Sequence, residues 1–169
     1  MNNGHRPSEP VPIGVEELDC EVRTAEHADV PGLVAGVTEL LLEIGGNPAS
    51  SEPLEDAAHE LIDDPEAGVL IVAESGDAIV GVLGASWQSA IRIPGRYGLI
   101  QELWVARAFR YREIGTELIN ELVALAQAQG IGRLEVGLPS ERYPHLAATE
   151  SFYETHLFKG IGLRMRRQL

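Results

Sequence analysis

The sequence predicts an α/β (α+β) chain built around one mixed sheet, and three observations carry that reading. Strand-like and helix-like segments follow one another in the order β, α, α, β, β, β, α, β, α, β. Two apolar runs, Val69 to Ala73 and Ala78 to Trp87, flank Gly76-Asp77, which is a hairpin signal. Glu113 to Gln129 repeats its apolar residues at helical spacing and is closed by Gly130.

Taken in order, residues 1–19 are rich in Pro, Glu and Gly, lack periodicity, and are expected to form a flexible tail. Residues 20–169 are expected to form one domain, beginning with a short strand at Cys20 to Thr24. His27 to Ile44 reads as a helix with Val30, Leu33, Val34, Val37, Leu40, Leu41 and Ile44 on one stripe, and Gly45-Gly46 stops it. Ser51 and Glu55, spaced near a capping arrangement, signal a second helix that ends at Asp63-Asp64-Pro65. After the hairpin, Arg92 to Tyr97 contains Pro94-Gly95 and is expected to be a loop leading into a strand, Leu99 to Val105. The Glu113–Gln129 helix carries Ile114, Leu118, Ile119, Leu122, Leu125 and Ala126 on one face. Leu134 to Leu138 is a strand stopped by Pro139, Leu146 to Leu157 a short helix, and Phe158 to Gln168 a last extended segment.

Composition narrows the function classes. The 169 residues carry 26 acids against 13 bases, a net charge of −13. No broad basic face can be assembled to displace counterions from nucleic acid. The acidity reads as solubility or as attraction of a cationic acceptor. Twelve of the thirteen bases are Arg and Lys159 alone is Lys, which reads as a composition bias. No apolar run approaches the ~20 residues that span a bilayer, and the first residues lack signal-peptide order. The one cysteine, Cys20, excludes an internal disulfide, and a cytoplasmic location is expected. The five histidines show no metal-ligand spacing, so no metal is expected.

Chemistry concentrates where a strand passes into the long helix, Val105-Ala-Arg-Ala-Phe-Arg-Tyr-Arg-Glu-Ile-Gly-Thr116. A helix start leaves its first amides unpaired and carries partial positive charge, which suits a phosphate. Arg107, Arg110 and Arg112 add cations, and Gly115 permits close backbone approach. The same features also describe a helix start with a solvated basic rim.

This junction resembles the GNAT acetyltransferases, which carry Arg/Gln-x-x-Gly-x-Gly/Ala here after a strand ending in Val. The match is Arg110-x-x-Glu113-x-Gly115, with Glu113 in place of the middle glycine. A second block, Phe152-Tyr153-Glu-Thr-His-Leu-Phe158, is similar to the family's Phe-Tyr-Glu-x-x-Gly-Phe, with Leu157 in place of the glycine. Gly162-Leu-Arg-Met-Arg-Arg167 is similar to the last strand of many members.

The resemblance implies a mostly antiparallel sheet flanked by about four helices, with a parallel pair, Leu99–Val105 and Leu134–Leu138, that splays into a V beside a bulge. It implies acetyl-CoA as co-substrate, its pyrophosphate on the amides of Arg110, Tyr111, Arg112, Glu113, Ile114, Gly115 and Thr116. The pantetheine arm would lie along Leu103, Trp104 and Val105, where a backbone N–H would polarise the acetyl carbonyl. It also implies direct attack by a primary amine of a small molecule or peptide, and a homodimer by family habit.

Such an amine is protonated at neutral pH, with on the order of one molecule in a thousand neutral. Glu102 interrupts an apolar strand just before the cofactor turn and is the expected base, directly or through water; a paired, edge-facing Glu is the other reading. Tyr153, in the second block, is the expected donor to the CoA thiolate, against a plain core tyrosine. Trp87 lines the acceptor pocket or, as such a residue more often does, fills the core. A non-catalytic acyl-CoA-binding module and a transferase using another acyl donor are the alternatives.

Overall fold

The computed structural model describes residues 19–162. Five strands, β1 (Glu21–Thr24), β2 (Gly68–Ser75), β3 (Ala78–Ala90), β4 (Ile93–Val105) and β5 (Leu134–Val136), form one sheet in sequence order. The first three pairings are antiparallel and β4–β5 is parallel. Helices α1 (Val30–Glu43) and α2 (Ser51–Asp63) cover one face of the sheet, and α3 (Ile114–Ala128) with α4 (Leu146–Thr155) covers the other. No helix among the described residues is long and apolar enough to cross a membrane.

Each face has its own core. Ile71, Leu83 and Ile100 pack on Leu118, Ile119 and Leu122 of α3, all essentially buried. Leu70, Val72, Val82 and Trp104 pack on Leu33 and Val34 of α1 and Ala58 of α2. Burying each such aliphatic side chain contributes about 1.5–3 kcal/mol, so α3 is held by its apolar stripe more than by its helix propensity. At the start of α1, Asp29 ties three segments together. It accepts two hydrogen bonds from the Arg23 guanidinium at 2.6 and 2.9 Å and one from the Glu26 amide at 2.7 Å. Those bonds, Arg23 first, hold its carboxyl below the usual range against the opposing effect of burial.

Several expected boundaries shift for local reasons. The first turn of the expected His27–Ile44 helix is a separate 3₁₀ turn, His27–Asp29, and Pro31 then sits in the first turn of α1, where its missing N–H costs nothing. Ser50, not Ser51, is the N-cap of α2, without a side-chain capping bond. Of the segment Arg92 to Tyr97, expected as a loop, all but Arg92 belongs to β4, which pairs with β3 from Ala90↔Ile93 onward. Pro94-Gly95 is accommodated there as a bulge between Ala90↔Ile93 and Ser89↔Arg96, with Gly95 at φ +87°. The strand after α3 ends at Val136 rather than Leu138, and the last helix ends at Thr155. Residues 158–162 are not in a strand; the rest of the expected final segment, with Leu163–Arg167, and residues 1–18 of the expected tail lie outside the described residues.

Candidate active site

Two irregularities of β4 build the site. The strand pairs with β5 only through Gly98↔Leu134, Leu99↔Glu135 and Ile100↔Val136, so from Gln101 to Val105 its outer edge is unpaired and the parallel strands part. At the same point β4 carries one extra residue. Gly84 faces Glu102 while Ala85 faces Ile100, which leaves Gln101 bulged out of the register.

The bulge changes which face each side chain meets. Ile100 packs on the α3 face, as do Leu103 and Val105, whereas Trp104 packs on the α1–α2 face. Glu102 also turns to the α1–α2 face, where it lines a cavity of about 130 Å³ between the two helices and the sheet. It makes no hydrogen bond or ion pair with any described residue. Burial alone pushes its pKa up from 4.5 to about 7. Gly84 makes room for it, since a side-chain carbon there would collide with Glu102 Oε2. An unpaired, partly buried carboxyl that is half ionised near neutrality has the properties of a general base.

Trp104, expected along the cofactor arm, has its ring against Gly36 of α1, where an added carbon would lie 2.6 Å from Cε3. Its indole Nε1 is fully buried and has no hydrogen-bond partner among the described residues. Trp87 does not line the cavity. It is buried in the α3-side core, with its Nε1 donating to the Pro65 carbonyl at 3.1 Å. The core reading of Trp87 is therefore the one its position supports, because residue parity on β3 points it away from α1 and α2.

The turn into α3 is preceded by a 3₁₀ turn, Arg107–Phe109. No described residue gives a hydrogen-bond acceptor to the amides of residues 111–116, so this helix start presents free donors. Tyr111 and Glu113 adopt left-handed backbone, φ +62° and +66°. Glu113 thus fills, with a side chain, a position whose geometry favours glycine, and as the N-cap of α3 it makes no capping bond. Leu157, the other departure from the family pattern, is likewise left-handed at φ +67°.

The basic residues are not equally available. Arg110 chelates both Glu43 oxygens at 2.8 and 2.9 Å and donates through Nε to the Val105 carbonyl at 2.8 Å. Arg107 donates to the same Glu43 at 3.1 Å. Arg112 lies over the Phe109 ring, 5.9 Å from its centroid. Glu43, the last residue of α1, carries no sequence signal that would have marked it. Gly115 is small for a packing reason as well, because an added carbon would sit 3.2 Å from the Phe152 ring.

Tyr153 is buried on the α3 side, edge-on to Phe152 and Phe158 with centroids 5.3 Å away in both cases. Its hydroxyl makes no hydrogen bond to a described residue, and burial pushes its pKa well above the ordinary phenol value. The phenol therefore stays neutral and is a hydrogen-bond donor across the accessible pH range. No cluster of His, Cys, Asp and Glu suited to a metal occurs among the described residues.

The family model described as "Acetyltransferase (GNAT) family" matches residues 34–156, a span that includes the bulge, the α3 turn and all of α4 with Tyr153. Solved structures of the same fold include a possible acetyltransferase from Clostridium difficile 630, at 17% identity and TM-score 0.74, covering 89% of this chain and 97% of that one. Glucosamine-6-phosphate N-acetyltransferase from Arabidopsis thaliana matches at 17% identity and TM-score 0.71, over 88% and 97% of the two chains. A predicted acetyltransferase from Clostridium acetobutylicum, solved with acetyl-CoA, also matches at 17% identity and TM-score 0.71, over 88% and 96%. A search of curated protein sequences finds no match.

Proposed function

Because the chain belongs to the acetyltransferase (GNAT) family, we propose that this acyltransferase moves acetyl from acetyl-CoA to a primary amine by direct attack. The observation that carries this reading is the coincidence of the β4–β5 opening, the Gln101 bulge and the unpaired Glu102 at one point of the sheet. The free amides of residues 111–116 suit the pyrophosphate, with Arg112 the nearest uncommitted cation. The unpaired edge of β4 at Leu103 suits the amides of the pantetheine arm, and a backbone N–H there can polarise the thioester carbonyl.

The ammonium gives one proton to Glu102, directly or through water, and the freed nitrogen lone pair attacks the thioester carbon. The C–S bond of the resulting tetrahedral adduct breaks, the nitrogen sheds its second proton, and the thiolate takes one up. Full transfer from Tyr153 to a thiolate of pKa ~8.5 is uphill for a phenol raised above ~10. Its part is to donate a hydrogen bond to the sulfur as charge builds, while solvent supplies the proton.

Calorimetric titration with acetyl-CoA, followed by free-thiol release with a panel of amines, tests the reading. Saturable binding with amine-dependent thiol release is expected. Binding without transfer would leave an acyl-CoA-binding module. No binding would remove the reading altogether.

A further inference from the structure

The cavity in front of Glu102 has a chemistry of its own. Apart from Glu102, every side chain that lines it is a Leu, Val or Ala. Val34 and Val37 wall it from α1, Leu54, Ala57 and Ala58 from α2, and the sheet closes it below. Its volume of about 130 Å³ is near the ~150 Å³ at which an apolar cavity takes up one benzene molecule. One carboxyl thus stands at one side of a small, otherwise apolar chamber, and once it holds the reacting nitrogen no other side chain of the lining can pair with a hydroxyl, a phosphate or a second ammonium.

We infer that the acceptor is a small apolar monoamine, an aliphatic or arylalkyl primary amine with its nitrogen at Glu102 and its hydrocarbon body between α1 and α2. This rests on the acetyl-transfer reading above and narrows its substrate class. The net charge of −13 does not bear on the choice, because Glu102 is the one charged residue of the lining, which offers a second positive group no partner. An amino sugar or a polyamine loses more than about tenfold for each polar group it must leave unpaired in such a chamber. Each added methylene of an alkylamine gains about fourfold while room remains.

The test compares kcat/KM of the native chain for ethylamine, butylamine, hexylamine and phenethylamine with that for glucosamine, glucosamine-6-phosphate and spermidine, by thiol release at pH 8. Expected are a rise of about fourfold per methylene that levels off near six carbons, and rates for the three polar acceptors at least about a hundredfold below butylamine. Ala57→Phe, at an exposed edge of the wall, should move the preferred chain to a shorter one. Flat dependence on chain length, a polar acceptor faster than butylamine, or no transfer to any amine would overturn the inference. Acetyl-CoA titration of the same protein separates the two readings: with binding intact, flat length dependence or a faster polar acceptor sinks only the apolar acceptor, whereas no transfer to any amine, or absent binding, sinks both. If Ala57→Phe fails to fold, the native panel decides alone.

Discussion

Gly84 stands opposite Glu102 in the β3–β4 register, and the missing side chain of one is the space occupied by the carboxylate of the other. Leu70 Cδ2, 3.2 Å from where a Gly84 side-chain carbon would sit, closes the alternative direction. Gly84→Ala must therefore displace Glu102. The expected outcome is a fall in amine acetylation at pH 7 of about tenfold or more, with acetyl-CoA affinity and melting temperature nearly unchanged. Wild-type turnover in this variant would show that the reaction does not depend on where that carboxylate lies.

The raised pKa of Glu102 predicts opposite effects on rate and stability. Transfer should decline below about pH 7 as the base protonates, and Glu102→Gln should abolish that limb with a loss of roughly 10²–10⁴ at neutral pH. For stability, the folded pKa near 7 lies above the ordinary 4.5, so the protonated form favours the fold. That contribution is complete below pH 4.5 and is lost as pH rises through 7, on the order of 3 kcal/mol in all. Glu102→Gln should melt higher than the native chain at pH 8, by a margin that shrinks toward pH 5. A variant melting at or below the native temperature at pH 8 would contradict the burial argument.

Tyr153→Phe keeps the ring packed between Phe152 and Phe158 and removes only the hydroxyl. Stability and acetyl-CoA binding should hold while turnover falls about tenfold, less at high pH where thiolate leaves unaided. Native turnover from pH 6 to 9 would make Tyr153 a core residue and nothing more.

The two left-handed departures from the family pattern can be separated by experiment. Glu113→Gly and Leu157→Gly should each raise stability by about 0.5–1 kcal/mol, since a side chain in this conformation costs roughly 1–2 kcal/mol and glycine's greater unfolded freedom returns part of it. Leu157 is 88% exposed, so little burial is lost with it. Only Glu113→Gly should also tighten acetyl-CoA, by removing a carboxylate from the turn proposed to hold the pyrophosphate. Equal affinities in the two variants, read by calorimetry, would place the pyrophosphate elsewhere.

Periodicity is a sound guide where a segment packs on one face throughout. The α3 stripe and the hairpin around Gly76-Asp77 lie where their patterns put them. It fails where the backbone changes parity. Pro94-Gly95 is a true irregularity, but one that a long strand absorbs as a bulge. At the site, Glu102 was legible as a carboxylate out of place in an apolar strand, and Gly84 could have been found as a glycine inside another. Glu43 and the apolar chamber were not legible, because their meaning depends on how α1 and α2 sit over the sheet. Trp87 illustrates the same limit, since its distance in sequence from β4 says nothing of which face it meets.

The single extra residue at Gln101 has a consequence for the order of events in turnover. With Glu102 facing α1 and α2 while the free edge of β4 opens toward β5, the proposed acetyl donor and amine would approach the same few atoms along different paths. On that proposal neither would block the other's entrance, and no side chain would need to hold the acetyl group between two visits. Initial rates measured at several fixed amine concentrations should then give intersecting double-reciprocal lines against acetyl-CoA, the pattern of a ternary complex. Parallel lines would mean that the acetyl group rests on the protein itself before the amine arrives.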